Sequence, residues 1–403
     1  MNETAEEVMN GTAETAHEAN ERSEGHALLE AAHEVAGATM RETAEGRVAA
    51  HYGDAAAEYA AVREGAGLAD LSLRGRIEVS GGEAVQFLNG MVTNDVARLE
   101  DGEWFEAAFP NPQGRLLARS RVFRRGDAFL FDTEGQTRAV MLKHLERFTL
   151  AGDFHVRDLA QERALITVQG PRAARVVAEV LGEKGAPVAA VARGRHVTVA
   201  YDGGEVLVAR ATHTAEDGFD LFADRSVARR LWDALANAGA RPVGHDALEV
   251  LRIEAGLPSY GTDATEQNVV LEVVDEPAAV SYTKGCYVGQ EIIARIHWRG
   301  HVAKRLAGLV FDEGAQVTSG ATLRATAEER EAGRVTSTAY SPRLASLVGL
   351  GIVKYDFLQP GTTLRVFAGE TQVGTARVAE LPLVRGSWYE DRPAPGADRE
   401  GRS

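Results

Sequence analysis

After Asp70 the pattern changes to short runs that read as strands, Arg76-Ile77-Glu78-Val79 with polar and apolar residues alternating and the apolar Ala128-Phe129-Leu130-Phe131 among them. Between them the stretches 82–90 and 138–148 space their apolar residues three and four apart and read as helices. The mixture continues with a strand over 164–168, a helix opened by Pro171, a hairpin over 196–210 turning at Asp202-Gly203-Gly204, and helices over 226–238 and 245–254. Upstream, Leu28, Leu29, Ala32 and Val35 predict one amphipathic helix over 26–36, and a second runs over 55–63. Beyond His301 the helical period fades. Strand-length segments over 306–311, 333–337, 347–353, 363–366 and 373–378 alternate there with Gly- and Pro-bearing turns, which predicts a small all-β domain.

The expected class is therefore α+β, with a mixed region over 26–300, divided into two subdomains, and a C-terminal β domain over 301–387. Residues 1–25 hold many Glu, Ala, Asn and Thr and almost no large apolar side chains, so burial cannot offset their ordering entropy. They read as a disordered acidic extension. Residues 388–403, with Asp-Arg-Pro-Ala-Pro-Gly, read as a disordered tail.

Composition narrows the function. A net charge of −15 disfavours nucleic acid and anionic lipid surfaces as partners. No run approaches the roughly 20 apolar residues that cross a bilayer, and the first thirty residues are acidic, so a cytoplasmic protein is expected. The only lysines are Lys143, Lys184, Lys284, Lys304 and Lys354; an acidic, lysine-poor surface suits a halophilic host, although a GC-rich genome also favours arginine. The single cysteine, Cys286, excludes an intrachain disulfide and any all-cysteine metal or cluster site within the chain. His297 and His301 are four apart, but Gly300 lies between them and further ligand candidates are missing, so no metal site is expected.

The densest chemistry lies in Thr283-Lys284-Gly285-Cys286-Tyr287-Val288-Gly289-Gln290-Glu291. Its two glycines allow a bend or a close backbone approach to a ligand, and Lys284 two residues from the thiol favours the thiolate. A tight turn leading into a helix, with Cys286 as a small buried hydrophobe, satisfies the same string.

The run from Lys284 to Glu291, followed by Ala294-Arg295 and Arg299-Gly300, resembles the motif of the YgfZ family within the superfamily of the glycine cleavage system T protein, the aminomethyltransferases. Gly67-Leu68-Ala69-Asp70, Val92-Thr93-Asn94-Asp95-Val96, Val168-Gln169-Gly170-Pro171, the run 214–220, the run 251–256 and Gly333–Ser337 match superfamily segments in the same order. The resemblance covers about 26–387 and implies a folate-binding fold that ends in a small β-barrel, with tetrahydrofolate or a derivative as cofactor.

A pterin edge presents parallel N–H donors that a carboxylate accepts. The resemblance gives that task to Asp220, one methylene shorter than the usual glutamate, with Glu216 and Asp217 able to share it. On residues alone, these three read as surface carboxylates on a loop. It also sets Asp95 and Asn111, sixteen residues apart, at the reactive pterin nitrogens; Asp95 alternatively caps a turn. Arg252 would face the folate or else close a salt bridge. Lys284, Tyr287, Gln290 and Glu291 would line the folate site, and Cys286 would be the functional thiol beside Asp95 as catalytic residues.

The implied function is that of a tetrahydrofolate-binding YgfZ-like protein acting in assembly or maintenance of iron–sulfur enzymes, whose partners are iron–sulfur client proteins. The alternative is an aminomethyltransferase whose partner is a lipoyl carrier protein. A folate-binding module without turnover is a third reading.

Overall fold

The computed structural model describes residues 29–150, 152–182, 188–326 and 330–390. The expected acidic extension lies outside them. So does the tail beyond Glu390, but ordered chain runs past the expected boundary at 388: Ser387–Tyr389 form a turn and Trp388 is buried under the Arg193 guanidinium.

Two antiparallel layers make up the mixed region. One sheet has five strands in the order Trp104–Pro110, Leu116–Arg125, Ala128–Thr133, Gly75–Ser80, His155–Asp158. The other has six, in the order His196–Tyr201, Gly204–Arg210, Gly218–Asp224, Arg163–Gln169, Gly67–Asp70 and a short parallel edge Arg241–Pro242. Side chains alternate across each strand. In the first sheet Val122, Phe129 and Phe131 face outward onto the helices Ala84–Met91 and Gly135–Glu146, while Phe123 and Leu130 face inward. In the second, Ile166, Val168, Val206, Val208, Phe219 and Leu221 pack on the helices Ala173–Leu181 and Arg225–Asn237, while Leu165, Leu207 and Phe222 meet Phe123 and Leu130. Helix, sheet, sheet, helix is thus the layer order. Both faces of the central strands are covered, which explains why Ala128-Phe129-Leu130-Phe131 is apolar on successive residues.

The chain then leaves the second sheet through the helix His245–Glu254, whose Ile253 packs on Val348 and Leu350 of the C-terminal domain. That domain is a closed six-stranded antiparallel barrel in the order Lys304–Phe311, Ser346–Lys354, Glu331–Ser341, Thr322–Ala325, Thr363–Ala368, Thr371–Ala379. The expected α+β class with a C-terminal barrel is the architecture found.

The structure differs from the sequence reading where charge hides the pattern. The strand Leu116–Arg125 carries Arg119, Arg121, Arg124 and Arg125, yet its alternate residues are buried core. The acidic run 214–220 is no surface loop: Gly218–Asp224 is an interior strand, and both Glu216 and Asp220 are buried. No helix of the described residues is long and apolar enough to cross a bilayer.

Candidate functional site

Asp95 sits at the corner where the helix Ala84–Met91 gives way to the hairpin Trp104–Arg125, and the turn that carries it is tied down on every side. Thr93 Oγ1 donates to the Ala279 carbonyl (2.6 Å) and accepts from the Ala108 N–H (2.9 Å). Asn94 Nδ2 donates to the carbonyls of Glu106 and Ala278 (2.9 Å each), and Asn94 Oδ1 accepts from the Asp95 N–H (2.9 Å). Val96 N–H is met by Asn89 Oδ1 at 3.0 Å. A turn so fixed sets the backbone position from which the Asp95 carboxylate projects. The Asp95 side chain is 13% exposed, and its ionic neighbour at 3.3 Å, Arg98, is 74% exposed. Such a pair is weak, so the carboxylate stays available.

From the other side comes Lys284. Its Nζ donates to the carbonyls of Val92 (2.7 Å) and Asn94 (2.6 Å), bracketing the turn. Only 8% of the residue is exposed. Burial pushes the ammonium down to about 8 from 10.5, against the opposing pull of the Asp95 charge. The sign for stability follows. Between pH 8 and 10.5 the unfolded chain still holds a proton that the folded chain has released, so this group makes stability rise with pH across that window. Denaturant titrations at stepped pH should show the rise in the wild type and not in Lys284→Met; parallel curves for the two proteins would remove the assignment.

Lys284 also lies 5.1 Å from the Tyr287 ring centroid. Tyr287 is 7% exposed, burial pushes its phenol up to about 12, and its hydroxyl has no hydrogen-bond partner among the described residues. A buried hydroxyl left without a partner costs stability, so it is a group awaiting one.

Gly289 brings the third element in. At φ +78° it turns the chain into the helix Gln290–Arg299, and a Cβ there would stand 2.5 Å from the Asn111 carbonyl oxygen. Asn111 occupies the tip of the hairpin, where its Oδ1 accepts from the N–H groups of Gln113 (2.9 Å) and Arg115 (3.0 Å). Its Nδ2 is therefore the end left for a ligand. Gly289→Ala would add about 1–2 kcal/mol of left-handed strain to a backbone clash. The expected result is a lowered melting temperature and weaker ligand binding together; unchanged values for both would show that the hairpin tip can move aside at no cost.

Of the residues singled out by sequence, Lys284 binds the turn that carries Asp95, Tyr287 lies beside Lys284, and Asn111 abuts Gly289 at the end of the same loop. Cys286 is exposed and unoxidised, Gln290 opens the adjoining helix, and Glu291 points outward to Arg295 at 2.7 Å. Asp220 and Arg252 lie in two separate buried ion clusters. Asp220 is fully buried between the sheets, where it accepts from Arg121 (2.8 Å) and His213 (3.0 Å). Burial raises its carboxyl, but the more numerous pulls of His213 and Arg121 hold it well below the usual carboxylate range. His213 is itself pushed down by burial and by Arg121, against Asp220. Arg121 also pairs with the fully buried Asp132 at 3.1 Å. Both Asp220 oxygens are thus already accepting. Arg252 bonds Glu249, Asp263 and Ser337 Oγ (2.7 Å), which joins its helix to the barrel.

Sequence reasoning passed over Thr93 and Asn94 as anchors of the Asp95 turn, and Arg121 as the partner of Asp220. Arg121 is one of four arginines on its strand, so nothing in the sequence singled it out.

A family model described as the GCVT N-terminal domain matches residues 29–274, and one described as the glycine cleavage T-protein C-terminal barrel domain matches 304–384. The chain belongs to the glycine cleavage T-protein family. This T-protein family member is 34% identical over 356 residues to an aminomethyltransferase of Rubrobacter xylanophilus, covering 88% of this chain and 92% of that one. An aminomethyltransferase of Saccharopolyspora erythraea is 32% identical over 358 residues, covering 88% and 96%. Among solved structures, the glycine cleavage system aminomethyltransferase T of Bartonella henselae matches with a TM-score of 0.81 at 26% identity, over 89% of this chain and 98% of that one.

Proposed function

We propose that this T-protein family member binds tetrahydrofolate at the Asp95 corner and transfers to it the aminomethyl carbon carried by a lipoyl carrier protein, in the cytoplasm. The observation that carries the reading is the Asp95 turn, whose backbone is held by Lys284 and Asn94, with the partnerless Tyr287 hydroxyl next to Lys284 and the Asn111 tip abutting Gly289 on the same loop. The residues suit a reduced pteridine: a carboxylate accepts from ring N–H groups, while Nδ2 of Asn111 and the Tyr287 hydroxyl meet ring acceptors. Asp220 is less suited as it stands, because its oxygens are taken by Arg121 and His213.

Tetrahydrofolate supplies two nitrogens that accept the carbon. In the transfer, the carbon loses its bonds to the carrier sulfur and to its own amine, gains two bonds to those nitrogens, and leaves ammonia and a dithiol. Asp95 orients the attacking amine and accepts its hydrogen bond; Lys284 keeps Asp95 from turning away. The test supplies aminomethyl-loaded carrier and tetrahydrofolate. Methylene-tetrahydrofolate and ammonia in equal amounts are expected, and neither would form if the reading is wrong.

One observation favours a second reading. Cys286 is exposed on the same loop as Lys284, where aminomethyl transfer has no use for a thiol. That suits a YgfZ-like role toward iron–sulfur client proteins. Cys286→Ala separates the two: a deficit in iron–sulfur enzyme activities in cells with carrier-dependent transfer intact supports the YgfZ-like role, and normal iron–sulfur enzymes remove it.

A further inference from the structure

The helix Gln290–Arg299 starts against Asn111 and runs ten residues, about 15 Å at 1.5 Å per residue. Its far end is unlike the rest of this acidic chain. Trp298 is 71% exposed there, and the His297 ring lies edge-on to it at 4.6 Å and flat on Tyr282 at 3.7 Å. Three residues beyond Trp298, His301 stacks on Tyr355 at 3.4 Å, and Tyr355 is itself 47% exposed. Arg299 and Arg305 are exposed in the same strip, and neither has an ion-pair partner among the described residues. The neighbouring carboxylates are already engaged: Glu276 with His297 and Tyr282, Glu291 with Arg295, Asp356 with Arg330.

A large exposed indole flanked by unpaired guanidiniums is unusual on a protein of net charge −15, because exposed tryptophan gains nothing from water and an excess of carboxylates should pair with free arginines. Trp, Tyr and Arg are the residue types that dominate binding energy at protein interfaces. Continuity with the candidate site limits the occupant: the strip is the outer end of the helix whose inner end abuts Asn111.

We infer that the strip Trp298, Arg299, His301, Arg305 and Tyr355 is the docking surface for the acidic face of the carrier protein that brings the aminomethyl group to the Asp95 corner. The inference rests on the aminomethyl-transfer reading. Indole and tyrosine rings supply desolvated contact, and the two arginines attract the carrier and set its register. The carrier's prosthetic arm then spans the length of the helix to reach Asp95.

The test is calorimetric titration of the full chain with the lipoylated carrier protein, for the wild type, Trp298→Ala and the double variant Arg299→Glu/Arg305→Glu, over a series of salt concentrations. Each variant should weaken carrier binding at least tenfold, leave the tetrahydrofolate affinity unchanged, and, for the charge reversal, flatten the loss of affinity with salt. Equal carrier affinity in all three proteins, or no carrier binding by the wild type, overturns the docking surface. Failure of the transfer reading shows separately, as a wild type that binds no tetrahydrofolate or yields no methylene-tetrahydrofolate.

Discussion

Asp95→Ala should lower the rate of aminomethyl transfer by about 10²-fold or more while tetrahydrofolate affinity falls far less, because the carboxylate orients and relieves the attacking amine rather than supplying most of the binding. The structure makes the magnitude reasonable. The side chains of Thr93, Asn94, Asn89 and Lys284 hold the turn through eight hydrogen bonds. The replacement removes the carboxylate and keeps those anchors, so folding should be little affected. Asp95→Asn is the companion: it keeps the shape and one acceptor, loses the charge, and should recover only part of the rate. Single-turnover kinetics with pre-loaded carrier reads the chemical step directly. A rate within a few-fold of wild type for Asp95→Ala would take Asp95 out of the reaction.

The largest loss of stability should come from Glu254→Ala. Glu254 is fully buried at the end of its helix, where it accepts from the Tyr59 hydroxyl at 2.9 and 3.0 Å, from Arg63 and from Ser341 Oγ. Arg63 reaches on to Glu216 (2.7 Å) and the Thr214 carbonyl (3.0 Å), and Glu216 accepts from the Ser387 N–H (2.8 Å). Glu254 therefore joins the helix Ala55–Glu64 to its own helix and to Ser341 of the barrel, and through Arg63 the network extends to the loop ahead of Asp220. Its removal leaves a buried guanidinium partly uncompensated and strands two hydroxyls, at a cost of about 3–5 kcal/mol. That is a large share of the roughly 5–15 kcal/mol by which a domain is usually stable. Denaturant unfolding measures it. Replacing both Glu254 and Arg63 by apolar residues of similar volume should cost less than Glu254→Ala alone, since no buried charge is then left unpaired. A loss below about 1 kcal/mol for Glu254→Ala would mean that water enters and solvates the gap.

How far each feature could be read ahead of the structure depended on the range of the interaction that creates it. The barrel strands over 306–311 and 347–353 and the helix over 245–254 were legible because alternation and helical spacing are local, and turn glycines mark their ends. The strand Gly218–Asp224 was not, since three carboxylates within five residues look solvated until Arg121, from a strand a hundred residues earlier, is brought across to neutralise one of them. Lys284 was picked out for its nearness in sequence to Cys286, but its two hydrogen bonds go to carbonyls some 190 positions away. The partnerless Tyr287 hydroxyl, likewise, has no sequence mark, because a missing partner is a property of everything that packs around it.

By itself, then, the order of residues determined the alternation of strands and helices and the switch to a β domain, and it singled out the run from Lys284 to Glu291 as the candidate for chemistry. Tertiary structure alone decided which charges are sealed in pairs and which stay free: Asp220 is enclosed by Arg121 from a distant strand, Arg252 by Glu249 and Asp263, while the only ion pair of Asp95 among the described residues is to the exposed Arg98. The physical reason is that backbone periodicity is set by neighbours three or four residues apart, whereas the charge a carboxylate carries, and the partner it is left to find, are set by through-space fields that ignore chain order.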